Sequence, residues 1–239
     1  MFGIRQAVRR RTREEGEKPF WISFSDLMSA LMVLFLLAMT VALLAVTNEI
    51  SESERQKTER EREILGLLDR LRAATDAFPG LTIGGASIDF GERARFETNS
   101  HKLNAEQAQL LRDFTPELLA IARDPAGEKW LKRVVVEGFA DARGSYMHNL
   151  NLSLQRSERV LCVLLAPPGS AAGTLSDSER QQVRDLFFVG GASFNALKNS
   201  PEESRRIELR LEFLDPAERR VNAPQPPLDD DPRCPIDRP

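Results

Sequence analysis

The run E-G-F-A-D-A-R-G-S-Y-M-H-N-L-N-L-S-L-Q-R-S-E-R-V, residues 137–160, decides the fold of the larger part of this chain. It begins at the end of a β-branched strand predicted over 134–139 and passes through a loop into a helix predicted over 149–165. The loop offers Asp141 and the helix carries Arg156. A guanidinium binds a carboxylate in a forked geometry, and a carboxylate accepts hydrogen bonds from an ammonium. We therefore expect an exposed clamp for a zwitterion at these two residues.

The same alternation of strands and helices extends over a predicted domain at 81–214. The other predicted elements are strands at 81–90, 186–189 and 206–213, a helix at 104–122 and a loop of small residues at 167–178. Strands separated by helices predict an α/β sandwich with one sheet, in the order βαβαββ. The segment at 215–239 is rich in proline and aspartate and is predicted to be an extended tail.

Residues 20–46 are apolar almost throughout, and about 20 apolar residues suffice to cross a bilayer. A cleaved signal peptide is the alternative, but its apolar core is usually shorter, so we expect a retained transmembrane helix. The basic tail at 1–19 indicates a cytoplasmic N-terminus and places the rest of the chain in the periplasm of a Gram-negative cell. A stalk helix is predicted at 47–80, packed on a partner copy or on the domain.

Asp26 is the only ionisable residue within the predicted span. A charged side chain in a bilayer is costly, and such residues usually face other protein helices on an ion path. Ser23 and Ser29, three residues away on either side, share its helix face. We expect Asp26 to be ion-translocating, with the two serines as neighbours and partner helices completing the site. The alternative is that Asp26 lies at the membrane edge and reaches water.

The cysteines and histidines of the chain limit which cofactors and activities can be expected. Cys162 and Cys234 lie in the predicted exported part, where an oxidising compartment permits a disulfide between them; two independent thiols are the alternative. His101 and His148 lack partners at metal-ligand spacing, so neither a metal nor a cofactor is expected. There is no nucleophile–base pair or phosphate loop, so we do not expect an enzyme. A formal net charge of −3 gives no reason to expect nucleic-acid binding.

Residues 88–213 resemble the OmpA-like peptidoglycan-binding family, whose motif is G-x-x-D-x-x-G followed by N-x-x-L-S-x-x-R-[AS]. The matching residues are Gly138, Asp141, Gly144, Asn149, Leu152, Ser153, Arg156 and Ser157. The resemblance implies that Asp141 and Arg156 hold the diaminopimelate of the wall peptide. It also implies that Asn149 and Leu152 form the pocket wall, with His148 where a tyrosine often stands. A domain of this fold that no longer binds the wall is the alternative.

The whole arrangement resembles the MotB family of flagellar stator subunits. The run F-W-I-S-F-S-D-L-M-S-A-L-M at 20–32 is similar, more closely, to the B subunits of Zorya anti-phage defence systems. That resemblance implies a homodimer inside a pentameric ring of ZorA-like membrane subunits, anchored to peptidoglycan and in contact with membrane lipid. The translocated ion would be H⁺, or else Na⁺. A flagellar stator subunit and a static cell-wall tether without ion coupling are the alternatives.

Overall fold

The computed structural model describes residues 18–171, 173–220 and 234–237, and only the backbone at 18–20, 22 and 23. Most of the predicted cytoplasmic tail at 1–19 and the middle of the predicted tail at 215–239 therefore lie outside the described residues. The chain divides into two compact units, Met1–Gln56 and Lys57–Pro239. The helices are α1 (Lys18–Thr75), α2 (Ala105–Arg123), α3 (Pro125–Trp130), α4 (Tyr146–Leu164), α5 (Asp177–Leu186) and α6 (Pro201–Ser204). The strands are β1 (Thr82–Gly84), β2 (Ser87–Asp89), β3 (Leu131–Gly138), β4 (Phe187–Gly191) and β5 (Ile207–Phe213).

The described part of the first unit is helical and apolar. Among the described residues, one helix is long and apolar enough to cross a membrane, and an 18-residue window within it has a mean hydropathy of 2.7. Side chains such as Leu31, Leu34 and Leu43 are more than half exposed. Apolar surface of this extent needs lipid or other helices around it. The helix thus fits the transmembrane segment predicted at 20–46.

The second unit begins with the last residues of α1. Leu67, Leu68 and Leu71 on this segment are buried, and Leu71 belongs to the core of the domain. The Arg60 side chain donates to the carbonyl oxygen of Leu214 over 2.6 Å. This end of the predicted stalk therefore packs on the domain, which is one of the two arrangements that the sequence left open.

The domain is one sheet covered on one face by helices. Its strand order is β1-β2-β5-β3-β4, with β3 antiparallel to β5 and parallel to β4. Alternate residues of β5, such as Leu209, face a core that includes Phe114 of α2 and Val160 of α4. The predicted α/β sandwich with one sheet and a long N-terminal apolar helix is confirmed.

Some element boundaries differ from the predictions. The strand predicted at 81–90 is the hairpin of β1 and β2, which turns at Gly85 with a φ of +62°. Helix α4 starts three residues before Asn149, because the Ser145 side chain caps it by accepting a hydrogen bond from the backbone N–H of His148. The short helices α3, α5 and α6 were not predicted.

Candidate functional site

A pocket of about 240 Å³, lined mostly by polar residue types, opens where β3 ends and the chain turns into α4. Its lining residues are Thr98, Asn99, Ala140, Asp141, Arg143, Gly144, His148, Asn149, Leu152 and Arg205. Of the five predicted wall-binding residues, only Arg156 is not part of this lining. The loop and helix that the motif predicted therefore do converge on one cavity.

Close packing of β3 on α4 positions this loop. A Cβ atom at Gly138 would lie 2.0 Å from the carbonyl oxygen of Ser153, so only glycine fits at the end of the strand. The Ser153 hydroxyl in turn accepts a hydrogen bond from the backbone N–H of Ser193 over 3.1 Å. The motif glycine and serine thus hold α4 against the end of β3 and the segment that follows β4.

Asp141 is buried and already paired, whereas the sequence predicted an exposed carboxylate. Its Oδ1 accepts from the backbone N–H of Arg143 over 3.0 Å, and its Oδ2 accepts from Arg205 Nη1 over 2.9 Å and from Arg143 Nε over 3.2 Å. Burial, the largest single effect, raises the pKa of Asp141, but the hydrogen bonds from Arg143 and Arg205 outweigh it and lower the pKa to about 2.

Arg156 is fully buried, with no exposed surface. Its guanidinium donates to the carbonyl oxygens of Ser100, Phe139 and Glu97 over 2.9, 2.6 and 3.2 Å. Burial, and then the charge of Arg205, lower the pKa of Arg156 to about 10. An exposed clamp of Asp141 and Arg156 is therefore not what the structure shows. The arginine ties the segment at 97–100 to the end of β3 instead.

Two further predicted residues hold the walls of the pocket. The Asn149 side chain is buried and donates to the carbonyl oxygen of Arg143 over 2.8 Å. His148 is exposed, and its Nε2 lies 2.8 Å from Oδ1 of Asn99, a residue with a φ of +53°. The first contact joins α4 to the loop after β3, and the second joins α4 to the segment at 97–100, which also lines the cavity.

The sequence interpretation missed Arg143 and Arg205 as site residues. Arg143 lies two residues after Asp141, and this spacing is a local signal that could have identified it. Arg205 precedes β5, and it reaches the pocket because Ile207 pairs with Gly138 across the sheet. That register joins residues far apart in the chain, so a single sequence gives no signal for it.

The structure joins Cys162 of α4 to Cys234 in a disulfide, with the two Cα atoms 5.5 Å apart. Beside it, Arg159 Nη1 donates to Asp237 Oδ2 over 2.8 Å. The pKa of the nearby His101 is lowered, first by burial and then by the charge of Arg159. The last described residues of the tail are thus fastened to the domain.

In the first unit, Asp26 lies exposed on the surface of α1. The Ser29 hydroxyl donates to the carbonyl oxygen of Ser25 over 2.8 Å, and the Ser23 side chain lies outside the described residues. No hydrogen bond or ion pair reaches Asp26 from the part of the chain that the structure describes. The ion-path roles of these three residues remain predictions.

The motif, the sheet topology and the pocket define a class: an OmpA-like α/β domain preceded by one helix that fits a membrane span. No family model matches the chain. The Zorya protein ZorB of Escherichia coli O139:H28 (strain E24377A / ETEC) is 42% identical over 226 residues, which cover 93% of this chain and 92% of that relative. The chain therefore belongs to the ZorB family.

Solved structures with similar domains have far lower sequence identity. A putative MotB-like protein from Desulfovibrio vulgaris is 15% identical, with a TM-score of 0.42 over 66% of this chain and 99% of that one. The cell wall anchor of the T6SS from Pseudomonas aeruginosa is 20% identical, with a TM-score of 0.38 over 61% and 96% of the two chains.

Proposed function

We propose that this chain is the peptidoglycan-anchored stator subunit of a proton-driven inner-membrane motor of the ZorA–ZorB type, acting in anti-phage defence. Its identity to the Zorya protein ZorB along nearly the whole chain supports the defence system. The main support for a motor function is Asp26, which is the single ionisable side chain in the apolar segment at 20–46. The proposed assembly is a homodimer of this chain within a pentameric ring of ZorA-like subunits.

In the proposed mechanism, Asp26 of each copy binds a proton from one side of the membrane and releases it to the other. The ring subunits complete the ion path, because one helix has only one such group. A proton crossing about 100 mV releases about 2.3 kcal/mol, which suffices for a small rotational step when repeated. The basic residues before the span favour a cytoplasmic N-terminus and a periplasmic domain.

Torque requires a fixed reference, and we assign that role to the domain. The pocket at the end of β3 is lined by residues of the OmpA-like motif. Its proposed ligand is the peptide stem of peptidoglycan, the one rigid layer of the envelope. A wall-bound domain would hold the helix pair still while the ring turns.

The deciding experiment is Asp26→Asn in a host that carries the complete defence system. We expect phage plating to rise to the level of a host without the system, because the amide cannot carry a proton. Asp26→Glu should keep part of the protection. Asp69→Asn is the matched control, since Asp69 is an exposed carboxylate on the same helix, paired with Arg72.

Immunoblots must show wild-type amounts of each variant in the membrane fraction. Full protection with Asp26→Asn at that level would exclude ion coupling through Asp26. The static tether would then be the better description of this chain.

A further inference from the structure

Strand β4 forms one edge of the sheet, and β3 is the one strand that pairs with it in the described part of the chain. An edge strand presents unpaired N–H and C=O groups on its open side, and these groups can bind a further strand. The pairing with β3 is regular from Phe187 to Gly191, so no bulge interrupts this edge. The opposite edge, β1, has only three residues. Strand β4 therefore offers the longer of the two open edges.

The sequence around β4 lacks the charges that usually protect an edge strand. Residues 186–197 contain no charged side chain, although 29% of the residues in the whole chain are charged. Phe188 is 49% exposed and Val189 is 43% exposed, so the domain leaves apolar surface uncovered on both faces of this edge. An uncharged, apolar edge is prone to strand pairing, and its presence in an otherwise highly charged domain indicates that a partner covers it.

Each face of β4 combines an exposed apolar side chain with a glycine. On the face away from the helices, Phe188 is followed two residues later by Gly190, and alternate residues of a strand share a face. A Cβ atom at Gly190 would lie 3.5 Å from Cγ1 of Val135, so the position has room for a side chain but carries none. On the helix face, Leu154 of α4 is 39% exposed and lies beside Gly191. Both faces thus have a protruding group next to bare backbone.

This pattern is complementary to itself in an antiparallel pair. If Val189 lies opposite its own copy across a twofold axis, Phe188 lies opposite Gly190 of the partner subunit. Directly opposite residues of an antiparallel pair are on the same face, so each phenyl ring covers a position that lacks a side chain. The charged residues just before the strand would lie near 192–194 of the other copy, which are uncharged. No like charges would therefore meet.

We propose that β4 is a dimerisation edge, which pairs antiparallel with β4 of a second copy and joins two five-stranded sheets into one. This inference rests on the homodimer of the proposed function and adds the surface through which its two domains meet. A strand of five residues buries less area than a stable interface needs, so the contact is weak between separate domains. Two copies in one membrane assembly meet at a high effective concentration, at which a weak contact forms.

The test is chemical cross-linking in membranes isolated from cells that carry the complete defence system. Val189→Cys places a thiol at the proposed twofold axis, and a short bismaleimide joins two such thiols by bonds that resist reduction. The native cysteines are bonded to each other and do not react. Thr82→Cys is the matched control, because Thr82 is exposed on the other edge of the same sheet. We expect about tenfold more covalent dimer from Val189→Cys than from Thr82→Cys. Similar yields from the two variants would overturn the inference.

A second substitution tests the strand contact itself. Phe188→Glu, added to Val189→Cys, should lower the yield of covalent dimer about tenfold, because two carboxylates would enter an uncharged interface. Phe188→Tyr keeps the ring and should leave the yield near that of Val189→Cys alone. An unchanged yield with Phe188→Glu would contradict the strand pairing.

An independent pair of thiols is used if Val189→Cys does not accumulate in the membrane. One tagged copy then carries Phe188→Cys and the other carries Gly190→Cys, at positions that the proposed register places opposite each other. The two copies expressed together should give more covalent dimer than either expressed alone. Equal yields in the mixed and single samples would reject this register and, with it, the proposed pairing.

Failure of the homodimer and failure of the edge pairing give different results. Two differently tagged copies of the wild-type chain should co-purify from solubilised membranes if the homodimer is right. If they co-purify but Val189→Cys gives no more covalent dimer than Thr82→Cys, the homodimer stands and the edge pairing is wrong. If they do not co-purify, the homodimer of the proposed function is wrong, and the edge pairing fails with it.

Discussion

Asp26 and Asp141 are the two carboxylates on which the interpretation of this chain depends, and they stand in opposite surroundings. Asp141 is buried in the domain, and two arginines and a backbone N–H saturate its oxygens. Asp26 is exposed on an apolar helix, and the described residues offer it no hydrogen bond or ion pair. The domain therefore satisfies the carboxyl group of Asp141 within the chain, whereas the described residues do not satisfy that of Asp26.

This difference indicates how function is divided between the two units. A side chain satisfied within the chain contributes to the stability and shape of the domain. An unsatisfied charge in an apolar segment contributes nothing to folding, so its presence points to a role in an assembly. Substitutions in the two units should accordingly affect different measurements.

The largest expected effect on stability is that of Arg156→Met. It leaves three buried carbonyl oxygens without their donor, and we expect the domain to lose about 3 to 5 kcal/mol of unfolding free energy. Urea unfolding of the full chain in detergent, followed by Trp130 fluorescence in a Trp21→Phe background, measures this change. Asp26→Asn should change the same value by less than about 0.5 kcal/mol. Similar losses for both variants would remove the contrast between the two units.

An intermediate effect is expected from replacing both cysteines by serine. The disulfide closes 72 residues of separation in the chain, and cross-links over loops of this size typically add about 2 to 4 kcal/mol. The same urea titration should show that loss, and dithiothreitol should produce it in the wild-type chain. If neither the double substitution nor dithiothreitol changes the free energy of unfolding, the disulfide-linked tail does not stabilise the domain.

The smallest of the three effects is the acid sensitivity that Asp141 confers. Its pKa is lowered from 3.8 to about 2 in the folded domain, so its contribution is complete above about pH 5 and is lost as the pH falls through 2. The shift corresponds to about 2 kcal/mol. Wild-type stability should fall by that amount more than the stability of Asp141→Asn between pH 5 and pH 2. Parallel pH profiles would mean that the arginines do not hold this carboxylate.

The sequence was a good guide wherever the signal was local. The helix predicted at 104–122 matches α2 to within one residue at each end. The motif spacing brought Asp141, Asn149 and Leu152 to one cavity. Helix α4 was predicted to start too late because the capping role of Ser145 was not recognised.

The parts that could not be predicted depend on contacts between distant segments. The role of Arg156 is set by the carbonyl oxygens of the segment at 97–100, more than fifty residues earlier in the chain. That of Arg205 is set by the pairing of β5 with β3. Residue type and motif spacing predicted that charged side chains would cluster here. Which groups each charged side chain contacts depends on how the folded sheet brings distant segments together.

The disulfide between Cys162 and Cys234 determines what happens when a protease cleaves the domain. It encloses β4 and β5, together with every residue between the two cysteines. A protease that cleaves one peptide bond within this ring produces no separate fragment, because the disulfide still joins both pieces. A nicked molecule would migrate at full mass until it is reduced, and its domain would stay attached to the membrane helix.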